Sequence, residues 1–272
     1  MPDGRPQDPK SLLKGLENLY QRFNRRKFIH PDPLEFLFHF PDPRDREIVG
    51  LIAASLAYGR VWQILDSINK CLEKIGPHPR SFLEHTTEHA LMKAFENFQY
   101  RFTKGAEMSR FMVGIKRALE RHGSIEALFS IGASSTTGPE ATIKRLKAAT
   151  DELLCLSELP RSHLLPDPAK KSACKRPFLF LRWMVRQDQV DPGGWKTIKA
   201  PDLVIPLDTH MHHIAFALGF TTKKRPSLSA ALEITKAFSR LAPEDPVRYD
   251  FVLTRFGIRD ELSRDDVQRL LL

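Results

Sequence analysis

From Phe178 to Val185 this chain is apolar almost without a break, and the one interruption, Arg182, is charged. A helix that is apolar on most of its sides belongs at the centre of a fold, with other elements packed around it. The helical pattern extends from Ala169 to Arg186. Lys175, Arg182 and Arg186 recur at i, i+7 and i+11, so they lie along one stripe of that helix. Two readings of the arginines stand side by side. They pair with internal carboxylates such as Asp188 or Asp202, because buried charge needs partners, or they face an anionic partner.

The rest of the chain repeats the helical period. Leu12 to Phe23, Asp45 to Tyr58, Val61 to Ile75, Met108 to His122, Glu140 to Leu156, Leu228 to Leu241 and Pro246 to Phe256 all place apolar residues three and four apart. Leu34 to Phe38 and His89 to Phe95 give shorter helical pieces, and Gly59 and Gly257 close two of the helices. No run alternates with period two. The fold expected is all-α, with roughly ten helices.

Two segments carry charge where chemistry is possible. The first is Ala169 to Arg176, which sets Lys170, Lys171, Lys175 and Arg176 at a helix start. A helix N-terminus favours anions, so cations there oppose the helix dipole. Such local conflicts are expected at functional sites. Lys175 near other cations, with its side chain partly desolvated, is a usable nucleophile. The second segment is Leu203 to Phe220. Three apolar residues run into Pro206, and Asp208 or Thr209 then caps an apolar helix. Asp208 is either no more than that cap or a fixed carboxylate able to stabilise a developing positive charge.

The formal net charge of +9 makes a polyanion a plausible partner. Three widely spaced cysteines exclude a four-cysteine zinc or iron–sulfur site within the chain and argue against a disulfide framework. His210, His212 and His213 are the only histidine cluster, and their spacing does not bring all three to one helical face, so no metal is expected. No apolar run is long enough to span a bilayer, and the N-terminus has no signal-peptide core, so a cytoplasmic location is expected.

Four blocks, Ser172–Arg176, Phe180–Arg186, Pro206–His210 and Asp245–Phe251, resemble a bacterial family of uncharacterised proteins, from about Asp32 onward. That family in turn resembles the helix-hairpin-helix DNA glycosylase superfamily, which includes endonuclease III and the archaeal oxoguanine glycosylase. The helix pair at residues 48–75 looks like the superfamily's opening pair, and Pro206-Leu207-Asp208-Thr209-His210 is similar to its Val-Asp-Thr-His signature. The superfamily's Gly-Val-Gly hairpin is replaced here by Pro166-Asp167-Pro168 and the Ser172–Arg176 block. No cysteine ladder follows Gly257, and Tyr58-Gly59-Arg60 stands where a gap-filling glutamine is expected.

The resemblance implies a two-lobed, helical, helix-hairpin-helix glycosylase-like fold. Residues 1–30 would form an N-terminal helix and basic segment, and residues 31–272 the glycosylase-like domain. Within it lie a hairpin-like segment at 157–186 and an Asp-bearing helix entrance at 203–220. It implies a base-excision N-glycosylase acting on double-stranded DNA at a damaged base or abasic site, with possible lyase activity. The enzyme would be a nucleoid-associated monomer that needs no cofactor. Asp208 and Lys175 would be catalytic. Lys170, Lys171, Ser172, Arg176, Arg182, Arg186, Arg60 and His210 would contact nucleic acid. The alternative is a nucleic-acid-binding protein that keeps the fold without the chemistry.

Overall fold

The computed structural model describes residues 8–132, 136–170 and 172–256. Among them the architecture is all-α apart from one small hairpin. In chain order the helices are α1 (Pro9–Phe23), α2 (Pro43–Leu56), α3 (Val61–Ile75), α4 (Pro79–His85), α5 (Glu88–Phe95), α6 (Gly105–His122), α7 (Ile125–Leu128), α8 (Pro139–Leu156), α9 (Lys175–Val185), α10 (Thr209–Ala217), α11 (Leu228–Leu241) and α12 (Asp250–Arg255). Short 3₁₀ turns occupy Arg26–Phe28, Pro33–His39, Pro168–Lys170 and Ala200–Asp202. Lys171 and Gly257 fall outside the described residues.

The expected central helix is central. Phe178, Phe180, Leu181, Trp183 and Met184 of α9 are buried. They pack against α2, in which every residue from Glu47 to Leu56 is buried. Gly50 makes this approach possible: a Cβ there would stand 3.2 Å from Met184 Cε and 3.3 Å from Phe180 Cε2. Buried residues from α1 to α12 form one continuous core. Leu12, Leu16, Leu19 and Phe23 belong to it, so residues on both sides of the boundary expected at residue 30 share the same interior.

Helix α9 begins six residues later than the apolar pattern suggests. Cys174 adopts a left-handed conformation, with φ 46° and ψ 38°, which ends any continuation from the Pro168–Lys170 turn. The last helix is also shorter than expected, because residues 246–249 form turns rather than helix. A feature that periodicity missed is the hairpin β1 (Gln99–Tyr100) and β2 (Thr103–Lys104), turning at Arg101 and Phe102. Two-residue strands are too short to show alternation. The chain leaving β2 enters α6 at Gly105, where a Cβ would overlap the Glu96 carbonyl oxygen at 1.7 Å. Only glycine permits that approach.

Arg182 and Arg186 are sealed inside, 2% and 5% exposed. Arg182 donates to Asp191 at 2.9 Å and 3.1 Å and to Asp250. Arg186 donates to Asp188 at 2.9 Å, to Asp245 at 2.9 Å and to Asp191. Asp188 also accepts Tyr20 at 2.9 Å and Asn24 at 3.0 Å, which joins α1 to the same network. Burial alone would lower both guanidinium pKa values, but the surrounding carboxylates outweigh it and hold both groups charged. The expectation of a nucleic-acid contact for these two arginines is corrected: their donors are used inside. Asp202, one of the partners considered, instead accepts the Gly138 N–H at 2.5 Å.

Removing Asp191 would leave two buried cations short of a partner. Asp191→Ala is expected to lower the unfolding free energy by about 3–5 kcal/mol, read from urea denaturation at neutral pH. A loss under about 1 kcal/mol would show that the network relaxes without cost.

Candidate active site

A cleft of about 320 Å³ opens between the start of α9, the Pro206–His210 turn, the Pro31–Pro33 turn and the Gly59–Ile64 segment. Its volume is at the lower end of ordinary ligand sites. Asp208 and Lys175 meet in it.

Asp208 is the N-cap of α10, and its Oδ1 accepts the Met211 N–H at 2.8 Å. The segment before it is fully inside, with Leu203, Val204, Ile205 and Leu207 all buried, so the carboxylate stands on a rigid support. Its Oδ2 lies 2.9 Å from Lys175 Nζ. The Asp208 side chain is 14% exposed and that of Lys175 37%. Burial would raise the Asp208 carboxyl. The Lys175 ammonium and the Met211 N–H outweigh that effect, and the group is held below the usual carboxylate range. Capping and pairing coexist, because one oxygen serves each purpose.

Below this pair lie groups that sequence reasoning did not single out. Asp250, 2% exposed, lines the cleft and uses Oδ2 to accept Arg182. Its Oδ1 has no hydrogen-bond partner among the described residues. Burial pushes its carboxyl up to about 6, against the opposing pull of Arg182. Arg255 also lines the cleft. It donates to Asp32 Oδ2 at 2.6 Å and to the Ile29 carbonyl at 3.3 Å, while its Nε is unpartnered among the described residues. The available signal was modest: Asp250 sits in a charge-rich block, and Arg255 in an otherwise apolar stretch.

The other expected contacts are dispersed. Arg176 is half-buried and structural, donating to the Ser55 carbonyl at 2.5 Å and the His163 carbonyl at 2.5 Å, with its guanidinium 4.9 Å from the centroid of the Tyr58 ring. Both terminal nitrogens of its guanidinium are thus engaged by backbone carbonyls. Ser172 is exposed, with its hydroxyl 3.3 Å from Cys174 Sγ. Lys170 is exposed and lines a separate groove with Arg110, Arg161 and His163, away from the Lys175–Asp208 pair. Arg60 is exposed at the entry to α3. His210 lines the cleft and favours the charged form of Asp208. Lys171 lies outside the described residues. Among the described residues no group of three or more His, Cys, Asp or Glu side chains is arranged to hold a metal ion. His212 instead stacks on Phe216, with its Nε2 3.0 Å from the Lys223 carbonyl. No described helix is long and apolar enough to cross a membrane.

A family model described as "Protein of unknown function (DUF2400)" matches residues 32–259. The chain belongs to this family. The DUF2400 match begins at Asp32 and takes in Lys175, Asp208, Asp250 and Arg255, so the cleft lies almost wholly inside it, while α1 lies outside. No curated protein and no solved structure matches the chain.

The raised Asp250 carboxyl has a stability consequence of defined sign. The folded state holds that proton more tightly than the unfolded chain, so this residue's contribution to stability falls as pH rises from about 4 to about 6. Relative to Asp250→Asn, the wild type is expected to gain on the order of 2 kcal/mol between pH 7 and pH 4.5. Urea midpoints of the two proteins across that range test this, and a difference independent of pH contradicts it.

Proposed function

We propose that this protein is a DNA base-excision N-glycosylase with associated abasic-site lyase activity. The observation that supports this reading best is the Lys175–Asp208 pair, 2.9 Å apart on the wall of an open cleft. The family match itself carries no activity; the chemistry of the pair supports the reading.

Breaking an N-glycosidic bond builds positive charge on the sugar, as in glycoside hydrolysis. A fixed carboxylate facing that charge at about 4 Å, with an effective dielectric near 20, is worth roughly 4 kcal/mol, or about three powers of ten in rate. Asp208 meets the requirements. It is ionised, mostly buried, and anchored at a helix N-terminus through one oxygen while the other meets Lys175. Lys175 supplies the nucleophile. Once its ammonium proton has passed to water, Nζ bonds to the sugar carbon as the glycosidic bond breaks, and the departing base takes a proton from water, while Asp208 stays ionised. Ring opening, with the ring oxygen taking a proton from water, then gives a protonated imine, and loss of a C2′ proton to water expels the 3′ phosphate and cuts the strand. The target nucleotide would have to leave the helical stack to reach the cleft.

The second reading, a nucleic-acid-binding protein without the chemistry, draws on the same net charge of +9. It gives no reason for a lysine and a carboxylate to meet in a cleft. Incubation with abasic DNA and borohydride separates the two. The wild type is expected to form a covalent protein–DNA adduct, and Lys175→Ala to form none. Asp208→Asn is expected to slow base release or adduct formation by about a thousandfold, with the fold intact by circular dichroism. Retained binding with no adduct and no base release across a panel of lesions would establish the second reading.

A further inference from the structure

Among the described residues three large apolar side chains are exposed: Trp62 at 63%, Phe102 at 68% and Phe216 at 49%. Phe216 stacks on His212 within α10 and does not line the cleft. The other two belong to segments that adjoin the Gly59–Ile64 wall of the cleft, and the Phe102 ring also meets the His163 ring at 5.5 Å. Trp62 follows Arg60 and Val61 at the start of α3, and Val61 and Ile64 line the cleft. Its indole meets the His30 ring at 5.5 Å, and the next residues, Pro31 and Asp32, also line the cleft. Phe102 is at the tip of the hairpin. That hairpin abuts Gly59, another lining residue: a Cβ on Gly59 would lie 2.8 Å from Arg101 Nη1 and 3.0 Å from the Tyr100 hydroxyl.

Cations stand close to both rings along the chain, and the Arg101 guanidinium lies 5.6 Å from the Phe102 ring centroid. Arg60, Arg101 and Lys104 are exposed beside them. On the Trp62 side the Arg25–His30 segment adds Arg25, Arg26 and Lys27, also exposed. Arg25 donates to the Gln21 carbonyl, Arg26 lies over the Phe38 ring and Lys27 over the Phe28 ring, contacts that bring no carboxylate to them. Exposed aromatic rings set among cations are the arrangement by which proteins hold strands with unstacked bases: the rings take base faces and the cations take phosphates.

We infer that Trp62 and Phe102 form a two-ring rim that stacks on unpaired bases flanking the nucleotide in the cleft, so that the site takes DNA with disrupted stacking in preference to intact duplex. This rests on the function proposed above and adds a substrate class to it. Trp62, Phe102, Arg60, Arg101 and Lys104 form the contact surface. The occupant is one DNA strand crossing the cleft mouth.

The test is binding of the full chain to a labelled oligonucleotide as a single strand, as a perfect duplex and as the same duplex with one abasic site, each followed by anisotropy over a range of salt. The single strand and the abasic duplex are expected to bind more tightly than the perfect duplex. Trp62→Ala and Phe102→Ala are each expected to weaken that binding by roughly 5- to 150-fold, with the salt dependence unchanged. Trp62→Tyr should restore most of it. Arg101→Ala and Lys104→Ala should each lower the salt slope by about one. Both rings are exposed, so the fold should survive their removal, and unfolding midpoints verify this. Wild-type affinity in both alanine variants, or equal affinity for perfect duplex, overturns the inference while leaving the glycosylase reading in place. So does a dimer that either variant dissociates, which would assign the rings to self-association. A wild type that binds none of the three DNAs overturns both. Ring-dependent binding without a borohydride adduct upholds the rim and removes the lyase.

Discussion

A buried ionic web around Arg182, Arg186 and Asp191 decides where everything else in this molecule can sit. Replacing such a web with apolar residues of similar volume is often neutral or stabilising, so its value lies in geometry more than in net energy. Helix α9 is apolar on most of its faces and would pack tolerably at several rotations about its axis. The web removes that freedom, because only one rotation brings Arg182 to Asp191 and Asp250, and Arg186 to Asp188, Asp191 and Asp245. Lys175 lies two turns before Arg182 on the same stripe. Fixing the arginines therefore fixes the lysine, and points it at Asp208.

The same constraint joins distant parts of the chain. Asp188 draws in Tyr20 and Asn24 of α1, and Asp250 heads α12. Glu17 adds a second tie by accepting Arg248 at 3.1 Å and the Tyr249 hydroxyl at 2.5 Å. The floor of the cleft is thus built from charges that also hold the protein together. Two carboxyls a short way apart end in opposite conditions as a result. Asp208, with an ammonium and an N–H beside it, stays ionised. Asp250, deeper and with one oxygen unpartnered, holds its proton more readily. Environments that push two acids apart in this way are how one site can supply both a charge and a proton.

Much of this was legible in the chain itself. The period of the apolar residues gave the fold class, the continuous apolar run marked α9 as central, and the Pro-x-Asp-Thr stretch placed a carboxylate at a helix entrance. The arginine stripe admitted two readings, and only long-range pairing could choose between them: Asp245 and Asp250 are some sixty residues away in sequence. Asp191 is nearer, but nothing local distinguishes it from Asp188 or Asp202. Cys174 carries no sequence mark of a left-handed backbone, so the apolar pattern alone runs α9 back past its true start. The hairpin escaped notice because its strands are two residues long. The cleft's lower wall escaped because Asp32, Asp250 and Arg255 converge from opposite ends of the chain.

Gly105 shows how little slack the molecule leaves near its opening. The backbone after β2 passes so close to the Glu96 carbonyl that even a methyl group would be excluded. The loop bearing Phe102 is therefore clamped at its base like a cantilever, with α5 and α6 as the wall. Its tip is a two-residue turn, mounted where the chain enters α6. Lengthening or shortening that loop would change its reach at once, whereas exchanging the residues at its tip would leave the mounting untouched.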